Sequence, residues 1–455
     1  MNKKITIIAL TFMVFVLPLA AQRTYKYRIS LTDKTPTPYS LNKPEEFLSR
    51  KALDRRAKQG LRVDSTDLPV CKSYIDGIRN KGVEILVTGK WNNTVTVQCS
   101  DTTLIDKIAS LPYVKDTEKV WFSPDSIPPR NKERRSEVTN NLVAGDDYYG
   151  LAHHQIAIHK GDSLHSAGFR GQGMTIAVID AGYYNVDAIK AFENTKILGT
   201  RDFVNPRSDI YEENNHGLMV LACMGTNCPN IMVGTAPEAS YWLLRSEDAD
   251  TEHLVEQDYW AAAVEFADSV GADVINTSLG YRTFDDSSKD YEYRNLDGKY
   301  ALISRSAGMV ADKGMILVCS AGNEGRRSWK KITPPADACN VITVAAIDSN
   351  LVNTVFSSVG NTADNRIKPD VAAIGERSVV IGTRGEISRA NGTSFSAPTM
   401  CGLVACLWQA CPQLTSKEVI ELVRSSGDRA GYPDNVYGYG IPDVWKAYQS
   451  TLGVR

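Results

Sequence analysis

The fold of this chain is decided by the stretch Ile176-Ala-Val-Ile-Asp180-Ala-Gly182, an apolar run that ends in a carboxylate and a glycine. A short, continuous run of this kind is typical of a strand that is buried on both faces. Gly182 lets the chain turn away after the strand, which leaves Asp180 at the strand's carboxyl end. Many α/β proteins have a strand that ends in aspartate, so this stretch alone indicates a fold class and not a function.

Further apolar runs follow the first, with helical patterns between them. The predicted strands cover residues 175–179, 240–244, 274–277, 316–319 and 341–345, and the predicted helices cover 252–270 and 300–313. This alternation predicts an α/β fold, a doubly wound and mostly parallel sheet with helices on both faces. In such a sheet the functional site lies at the carboxyl ends of the strands.

A histidine precedes an apolar, helix-like segment in Asn215-His216-Gly217, where His216 would stand in the first turn of the helix. The chain has six histidines, and the others lack this setting. A lone histidine in such a place is more often structural than catalytic, so both interpretations stay open on this segment alone.

A serine stands before the longest apolar helical segment, in Asn391-Gly-Thr-Ser394-Phe-Ser-Ala-Pro398. A glycine-containing turn that delivers a serine to the start of a buried helix suits nucleophilic catalysis, because the helix N-terminus favours negative charge near the serine oxygen. The alternative is that Ser394 simply caps the helix. Taken by itself, the segment favours the catalytic interpretation.

These segments, in their order along the chain, resemble the motifs of the subtilases, the subtilisin-like serine proteases. The serine segment is similar to that family's nucleophile motif, Asp180-Ala-Gly to its aspartate motif and His216-Gly to its histidine motif, and the order Asp, His, Ser is that of the family. Other similar segments are Gly234-Thr-Ala-Pro-Glu-Ala239, Val274-Ile-Asn-Thr-Ser-Leu-Gly280, Cys319-Ser-Ala-Gly-Asn323-Glu-Gly, Phe356-Ser-Ser and Lys368-Pro-Asp-Val371. The resemblance covers residues 150–448.

Two positions depart from the family pattern. Ala181 follows the aspartate where the family commonly has Ser or Thr, and Leu218 follows His216-Gly217 where Thr is usual. Both lie next to expected catalytic groups and replace neither of them. We therefore expect them to affect positioning and rate more than the chemistry.

The resemblance implies a serine endopeptidase that works through an acyl-enzyme intermediate. Ser394 is expected to attack the scissile carbonyl, His216 to take and return the proton, and Asp180 to hold the imidazole. The Asn323 side-chain amide and the Ser394 backbone N–H are expected to bind the oxyanion. The expected substrate-binding residues form two segments, Ser278, Leu279 and Gly280 in the first and Ala321 and Gly322 in the second.

The implied chemistry requires no cofactor. Subtilases often bind calcium, so a structural calcium ion is compatible with the resemblance, but no ligand spacing selects a site and no metal residue is assigned. A formal net charge of −2 gives no reason to expect a nucleic-acid partner. The expected partners are a peptide or protein substrate and the chain's own propeptide.

The first residues have the pattern of a secretory signal peptide, assigned to residues 1–21. Lys3 and Lys4 precede an apolar run over residues 5–19, and Ala20 and Ala21 follow it. The alternative is a membrane anchor, but the run is shorter than the roughly 20 residues that span a bilayer, and no later segment is long enough. We expect export to the periplasm or the cell exterior, with no anchor.

Residues 22–122 predict a small α+β domain with one layer of helix over four strands. The predicted strands are 27–31, 83–88, 94–99 and 120–122, and the predicted helices are 45–58, 72–80 and 101–110. In size, position and element order it resembles the inhibitory propeptide domain of subtilases, which implies a self-inhibited zymogen.

A polar, charged, Pro-containing stretch follows at residues 123–146 and predicts an exposed linker in which maturation cleavage occurs. Arg134-Arg135 is either a target for a basic-specific protease or ordinary solvated surface. Residues 147–455 are then the subtilisin-like catalytic domain.

Nine cysteines in an exported chain favour disulfides, and the odd number leaves at least one thiol unpaired. Cys71 with Cys99, and Cys223 with Cys228, are the pairs that position along the chain suggests. Cys401, Cys406 and Cys411 fall in an apolar helical stretch and are better interpreted as buried thiols.

Two other functions fit these residues less well than a peptidase does. A catalytically silent subtilase fold that binds peptides would be expected to lack part of the triad, and all three residues and Asn323 are present. An esterase of the α/β-hydrolase type would need Gly-x-Ser-x-Gly and the order Ser, Asp, His, which this chain does not have.

Overall fold

The structure is a computed structural model that describes residues 23–123 and 135–453. The expected signal peptide at 1–21 and residues 124–134 of the expected linker lie outside the described residues. The domain boundaries at these two places therefore stay predictions.

The N-terminal unit is a four-stranded antiparallel sheet with a layer of helix on one face. Its strands are β1 (Tyr25–Leu31), β2 (Glu84–Gly89), β3 (Thr94–Cys99) and β4 (Val114–Phe122), in the spatial order β2-β3-β1-β4. Its helices are α1 (Arg50–Lys58), α2 (Lys72–Arg79) and α3 (Thr103–Ala109). Side chains from α2 and α3 pack with those of the sheet in one core that includes Ile29, Ile78 and Ile108. The small α+β unit predicted for this region is therefore present.

Two element boundaries in this unit differ from the prediction. The predicted helix 45–58 is divided into a short 3-10 turn, Pro44–Glu46, and α1, which begins after Ser49. The Ser49 hydroxyl accepts a hydrogen bond from the Ala52 N–H at 3.3 Å, and such a cap sets the start of a helix. The last strand is longer than predicted because β4 pairs with the whole of β1, from Tyr25 opposite Phe122 to Leu31 opposite Val114.

The rest of the chain is organised around a seven-stranded sheet in which every neighbouring pair is parallel. Its strands are β5 (Thr175–Asp180), β6 (Lys196–Asp202), β9 (Ser240–Arg245), β10 (Val274–Thr277), β11 (Ile316–Ser320), β12 (Ile342–Ile347) and β13 (Val371–Ile374). Two small antiparallel pairs accompany it, β7 (Asn227–Cys228) with β8 (Met232–Val233) and β14 (Ser378–Ile381) with β15 (Ile387–Ala390).

The strand order β13-β12-β11-β10-β5-β9-β6 places the reversal of the winding between β5 and β10. From β5 the chain goes first to the edge strand β6 and then to β9, which lies between β5 and β6; it next forms β10 on the other side of β5 and continues outward to β13. A crevice opens at the carboxyl ends of the strands at such a switch point. Asp180, the last residue of β5, and Ser278, the residue after β10, both lie at this crevice.

The helices of this part cover both faces of the sheet. They are α4 (His153–Ala157), α5 (Gly161–Ser166), α6 (His216–Gly225), α7 (Val255–Val270), α8 (Leu302–Met309), α9 (Thr393–Ala410), α10 (Ser416–Ser425) and α11 (Val444–Leu452). Ile176 and Val178 of β5 belong to the core that contains α6 and α9, whereas Ala177 and Ile179 belong to the core that contains α7 and α8. The alternation of side chains along a strand thus fills two cores, and the predicted doubly wound α/β fold is confirmed.

The N-terminal unit packs on the α7 and α8 side of the sheet. Trp91, in the turn between β2 and β3, is buried within the core formed by α7 and α8. Glu265 of α7 accepts the backbone N–H of Lys90 at 2.6 Å and of Trp91 at 2.8 Å. Arg28 of β1 holds the Asp258 carboxylate through two bonds of 2.7 Å. Burial raises the pKa of Glu265 to about 7, although Lys90 and the two N–H groups oppose the shift.

A second group of buried ion pairs fixes helix α1. Arg55 and Arg56 both contact the Asp268 carboxylate at the end of α7, and Arg56 also contacts Asp67 at 2.9 Å. Lys313 contacts Asp67 at 3.1 Å. Buried pairs of this kind are costly to break one partner at a time, so the unit is held in a defined orientation.

All nine cysteines are free thiols in the structure, so the suggested disulfides are absent. Cys223 lies inside α6, where its Sγ contacts the Met219 carbonyl at 3.5 Å, whereas Cys228 lies beyond the end of that helix and its Sγ points to the Ala191 carbonyl at 3.7 Å. The two sulfurs therefore face different neighbours, and the closeness of the two cysteines in the sequence did not predict a disulfide correctly. Three thiols are buried as predicted: Cys401, Cys406 and Cys411.

Two features are absent from residues 23–123 and 135–453. Within those residues no helix combines the length and the apolar character needed to cross a bilayer. In the same residues no three His, Cys, Asp or Glu side chains are grouped so that they could hold a metal ion.

Candidate active site

Asp180 is fully buried at the end of β5, and its carboxylate has fixed neighbours. The Oδ1 atom accepts hydrogen bonds from the Ala181 N–H at 2.8 Å and from His216 Nδ1 at 2.7 Å. Arg245, at the end of β9, donates to the Ala181 carbonyl at 2.9 Å and pairs with Asp202 at 2.9 Å. The ends of three adjacent strands therefore hold the turn that carries Asp180.

His216 is the first residue of α6, as the sequence predicted. Helix α6 approaches β5 closely because Gly217 has no side chain: a Cβ there would come within 3.0 Å of Asp180 Cβ and collide with the Gly182 carbonyl. Burial opposes a charge on the imidazole, but the negative charge of Asp180 and its hydrogen bond outweigh burial and raise the pKa of His216. The pair thus favours the protonated imidazole.

Ser394 is the second residue of α9, where the backbone N–H groups of a helix are unpaired. The Ser394 carbonyl has no donor within the helix, because Pro398, four residues later, has no N–H. The carbonyl accepts instead a hydrogen bond from the Ser278 hydroxyl at 2.9 Å. The Ser394 hydroxyl donates to the Ser278 carbonyl at 3.3 Å. Within the described residues no hydrogen bond joins Ser394 to His216, so the hydroxyl is rotated away from the imidazole in this structure.

Asn323 faces the same crevice with its amide fixed in one orientation. Its Oδ1 accepts from the Thr393 N–H at 3.0 Å and from the Thr393 hydroxyl at 3.1 Å. An amide whose oxygen is held in this way presents its NH₂ group on the other side. The preceding residue, Gly322, has a φ of +104°, a conformation that favours glycine and that turns the chain into the crevice.

A cleft of about 530 Å³ joins these groups, and it is lined by His216, Asn323 and Ser394. Four of the five expected substrate-binding residues also line it, namely Ser278, Leu279, Gly280 and Gly322. The fifth, Ala321, is fully buried beneath it, and its N–H donates to the Val344 carbonyl at 3.1 Å.

Several residues of the cleft were not predicted from the sequence. Glu247 and Glu252 follow β9, and Tyr281 follows the substrate-binding segment; all three line the cleft. Glu324 also lines it and pairs with Arg327 at 3.1 Å. The available signal was position, because Glu247 comes two residues after the end of a parallel strand, where site residues collect.

Two known sequence families match parts of this chain. The sequence profile described as the Subtilase family matches residues 171–440, which include Asp180, His216, Asn323 and Ser394. This is more than half of the chain. The chain belongs to the subtilase family. A second profile, described as the Peptidase S8 propeptide domain of Bacteroidota, matches residues 26–139.

Individual relatives are moderately similar to this subtilase. Subtilisin DY from Bacillus licheniformis is 27% identical over 300 residues, which cover 65% of this chain and 97% of that protein. The serine protease AprX from Bacillus subtilis is 28% identical over 302 residues, covering 59% of this chain and 65% of AprX. These likenesses and the two profiles identify a subtilisin-like serine peptidase with an N-terminal propeptide domain.

Solved structures support the fold. MycP3, a protease from the type VII (ESX-3) secretion system, has a TM-score of 0.54 at 23% identity, covering 70% of this chain and 93% of that one. MycP1 from the ESX-1 type VII secretion system has a TM-score of 0.51 at 25% identity, covering 69% of this chain and 88% of that one.

Proposed function

We propose that this subtilase is an exported endopeptidase that cleaves peptide bonds through an acyl-enzyme formed on Ser394. The observation that carries the proposal is the 2.7 Å bond between His216 and the buried Asp180 in the cleft that contains Ser394. After a rotation about its χ1 bond, Ser394 gives its proton to His216 as it attacks the carbonyl. His216 then donates that proton to the leaving amine, and water hydrolyses the acyl-enzyme by the same path in reverse.

The negative oxygen of each tetrahedral intermediate needs donors that are already oriented. The Asn323 NH₂ group and the unpaired Ser394 N–H fill this role in the proposal, supported by the fixed Asn323 oxygen and the start of α9 at Thr393. Because these donors are held before substrate arrives, they stabilise developing charge without a reorganisation cost.

The substrate backbone is proposed to lie beside Ser278, Leu279 and Gly280. A peptide that adds as a strand to this segment would be bound largely through its main chain. Gly280 lines the cleft without a side chain, and a Cβ at this position would collide with the Thr333 hydroxyl. The segment that ends in Gly322 would flank the other side of the peptide.

The N-terminal unit is proposed to act as a built-in inhibitor until the linker at 123–146 is cut. Strand β4 ends at Phe122, whose ring lies 5.2 Å from that of His253, and His253 follows the cleft residue Glu252. The chain therefore leaves the unit at one end of the cleft. Export is proposed from the signal-peptide pattern of residues 1–21.

A fluorophosphonate probe tests the proposed chemistry, because it reacts with an activated serine and not with ordinary hydroxyls. We expect the protein purified after expression of the full chain to be labelled on Ser394, and Ser394→Ala to remain unlabelled. Labelling of neither protein, with both folded, would favour a silent subtilase fold.

Replacing Asn323 tests the oxyanion hole. We expect Asn323→Ala to lower kcat by roughly 100- to 1000-fold with little change in KM, the range measured when such a donor is removed in subtilisin. Steady-state kinetics on a peptide ester and a peptide amide would measure this effect. A variant with wild-type kcat would remove Asn323 from the proposed hole.

Replacing Glu247 tests the electrostatics of His216. The negative charge of Glu247 contributes to the raised pKa of His216, so Glu247→Gln lowers that pKa. Because the proposed base must be neutral, the acid limb of kcat/KM against pH should move to lower pH, by about half a unit or more. Glu324→Gln, which removes another carboxylate from the same cleft, serves as the control. An acid limb that stays in place, or moves to higher pH, would contradict the assignment.

A further inference from the structure

Three glutamates form a cluster at one end of the cleft. Glu247 and Glu252 line the cleft, and Glu256 lies behind them in the first turn of α7. Burial raises the pKa of Glu256, and the negative charges of Glu252 and Glu247 raise it further. We call these three residues the acidic subsite.

Two buried side chains, Glu256 of the acidic subsite and Tyr281 beside it, have polar atoms without a hydrogen-bond partner among the described residues. Glu256 is 0% exposed, and neither of its carboxyl oxygens is bonded to another described group. Tyr281 lines the cleft, is 1% exposed and has an unpaired hydroxyl, and the charges of all three glutamates act on it. Buried polar groups in native proteins are almost always paired, so these unpaired groups indicate a ligand with hydrogen-bond donors.

The cations around the subsite have partners elsewhere. Arg245 is held by Asp202 at 2.9 Å and by Glu213 at 3.5 Å, and His253 lies 3.5 Å from Asp285. The positive charge of Lys26 lowers the pKa of Glu256, but the Lys26 ammonium donates its hydrogen bond to the Tyr259 hydroxyl at 3.0 Å. Lys26 also belongs to the N-terminal unit. Once that unit leaves, the subsite loses this positive charge.

The spacing of the carboxylates favours an extended cation. In the described part of the chain no three such groups are close enough to hold a metal ion. A guanidinium carries five N–H donors in a planar fork and can bridge separated carboxylates, which a single ion or a compact ammonium does less well.

We propose that the acidic subsite binds a basic side chain of the substrate, arginine before lysine, at a position N-terminal to the scissile bond. This inference rests on the proposed peptidase function and names its substrate class. The side of the scissile bond follows from β4, whose end at Phe122 brings the chain to this end of the cleft ahead of any cut in the linker.

The electrostatics of the acidic subsite support a cationic occupant. Burial, together with the charges of Glu247 and Asp285, raises the pKa of Glu252 to about 8. Burial and the charge of Asp180 raise the pKa of Glu247 to about 7, although His216 and Arg245 oppose the shift. Burial and the repulsion between neighbouring carboxylates thus oppose full ionisation of the group, and the positive charge of an entering guanidinium would favour the ionised forms.

The chain itself supplies a substrate of this class. The linker between the two units contains Arg130, Lys132, Arg134 and Arg135 within six residues. A subsite for basic side chains would therefore favour cleavage of the chain's own linker.

A peptide library scanned at the four positions before the cut tests the proposal, with the protein purified after expression of the full chain. We expect Arg, then Lys, to be enriched at one of these positions. For two matched peptides with Arg or norleucine there, the wild-type ratio of kcat/KM should be roughly 100, and Glu247→Gln and Glu252→Gln should each lower it about tenfold. The ratio cancels any change in His216, because both peptides meet the same enzyme.

Matched controls separate the possible outcomes. Glu324→Gln removes a carboxylate from the cleft outside the subsite and should keep the Arg preference. Glu256→Gln should also lower the Arg preference. The melting temperature of this variant shows whether it is folded, because Glu256 is buried. Cleavage with no basic preference, or a preference unchanged in both Glu247→Gln and Glu252→Gln, would overturn the inference alone. No cleavage by the wild-type protein would overturn the proposed function and the inference with it.

Discussion

Replacing Ser394 by alanine is expected to abolish peptide hydrolysis, with a fall in kcat of about a million-fold, the size of the effect of the same change in subtilisin. The reason is that Ser394 is the proposed site of the acyl-enzyme, whereas the neighbouring Ser278 hydroxyl donates a hydrogen bond to the Ser394 carbonyl at 2.9 Å. Hydrolysis of a chromogenic peptide with the protein purified from the full chain measures the loss.

The folded state of the Ser394→Ala variant must be checked beside its activity. Ser394 is 7% exposed and the new side chain is smaller, so the melting temperature should change little. A variant with this stability and with more than about a thousandth of the wild-type kcat would show that another nucleophile does the work.

Replacing Asp180 by asparagine should lower kcat by about 10⁴-fold while leaving the cleft in place. Asp180 Oδ1 accepts from His216 Nδ1 at 2.7 Å, which fixes the imidazole with its proton on that nitrogen and leaves the other nitrogen free to act as a base. An asparagine can present an N–H to the imidazole, which selects the wrong tautomer. It also removes the charge that raises the pKa of His216.

A matched carboxylate serves as the control for Asp180. Asp187 lies seven residues later, at the surface, where it pairs with Arg135 away from the cleft. We expect Asp187→Asn to retain wild-type kcat and KM. A loss of similar size in both variants would mean that the effect is one of folding, and a loss of less than about tenfold in Asp180→Asn would remove Asp180 from the triad.

The sheet was predictable from the sequence because its strands are buried on both faces. The run 175–179 is apolar throughout, and the structure shows why: its residues alternate between two cores, so no position is left for a polar side chain. Asp180 follows directly, at the carboxyl end where a parallel sheet exposes its side chains to a crevice. Local sequence therefore predicted both the strand and the placement of its last residue.

The features that the sequence did not predict depend on contacts between distant segments. Glu256 lies in a helical pattern in which a glutamate is normally solvated, but α7 packs in the same core as Tyr281, and Glu256 is fully buried. Helix α1 does not cover its own sheet as predicted but packs against the end of α7, through Arg55 and Arg56 on Asp268. The sequence pattern of residues 45–58 does not distinguish a helix that packs on its own sheet from one that packs on α7.

The two departures from the family pattern have different structural consequences. Leu218 is fully buried in the core that contains α6 and α9. Where the family usually has a threonine, this chain therefore has an apolar side chain that packs in the core. Ala181 contributes only its N–H to Asp180, and Asp180 Oδ2 has no partner among the described groups. A side-chain hydroxyl at position 181 is thus missing beside a carboxylate that has room for one more hydrogen bond.

The central claim, that Ser394 is the nucleophile of a self-processing zymogen, is tested most directly by the mass and N-terminal sequence of the purified protein, wild type beside Ser394→Ala. We expect the wild-type protein to begin within residues 123–146, with the N-terminal unit cut away, and the variant to keep that unit joined to the chain. If both proteins were cut alike, or if the wild type kept its N-terminal unit, self-processing by Ser394 would be contradicted.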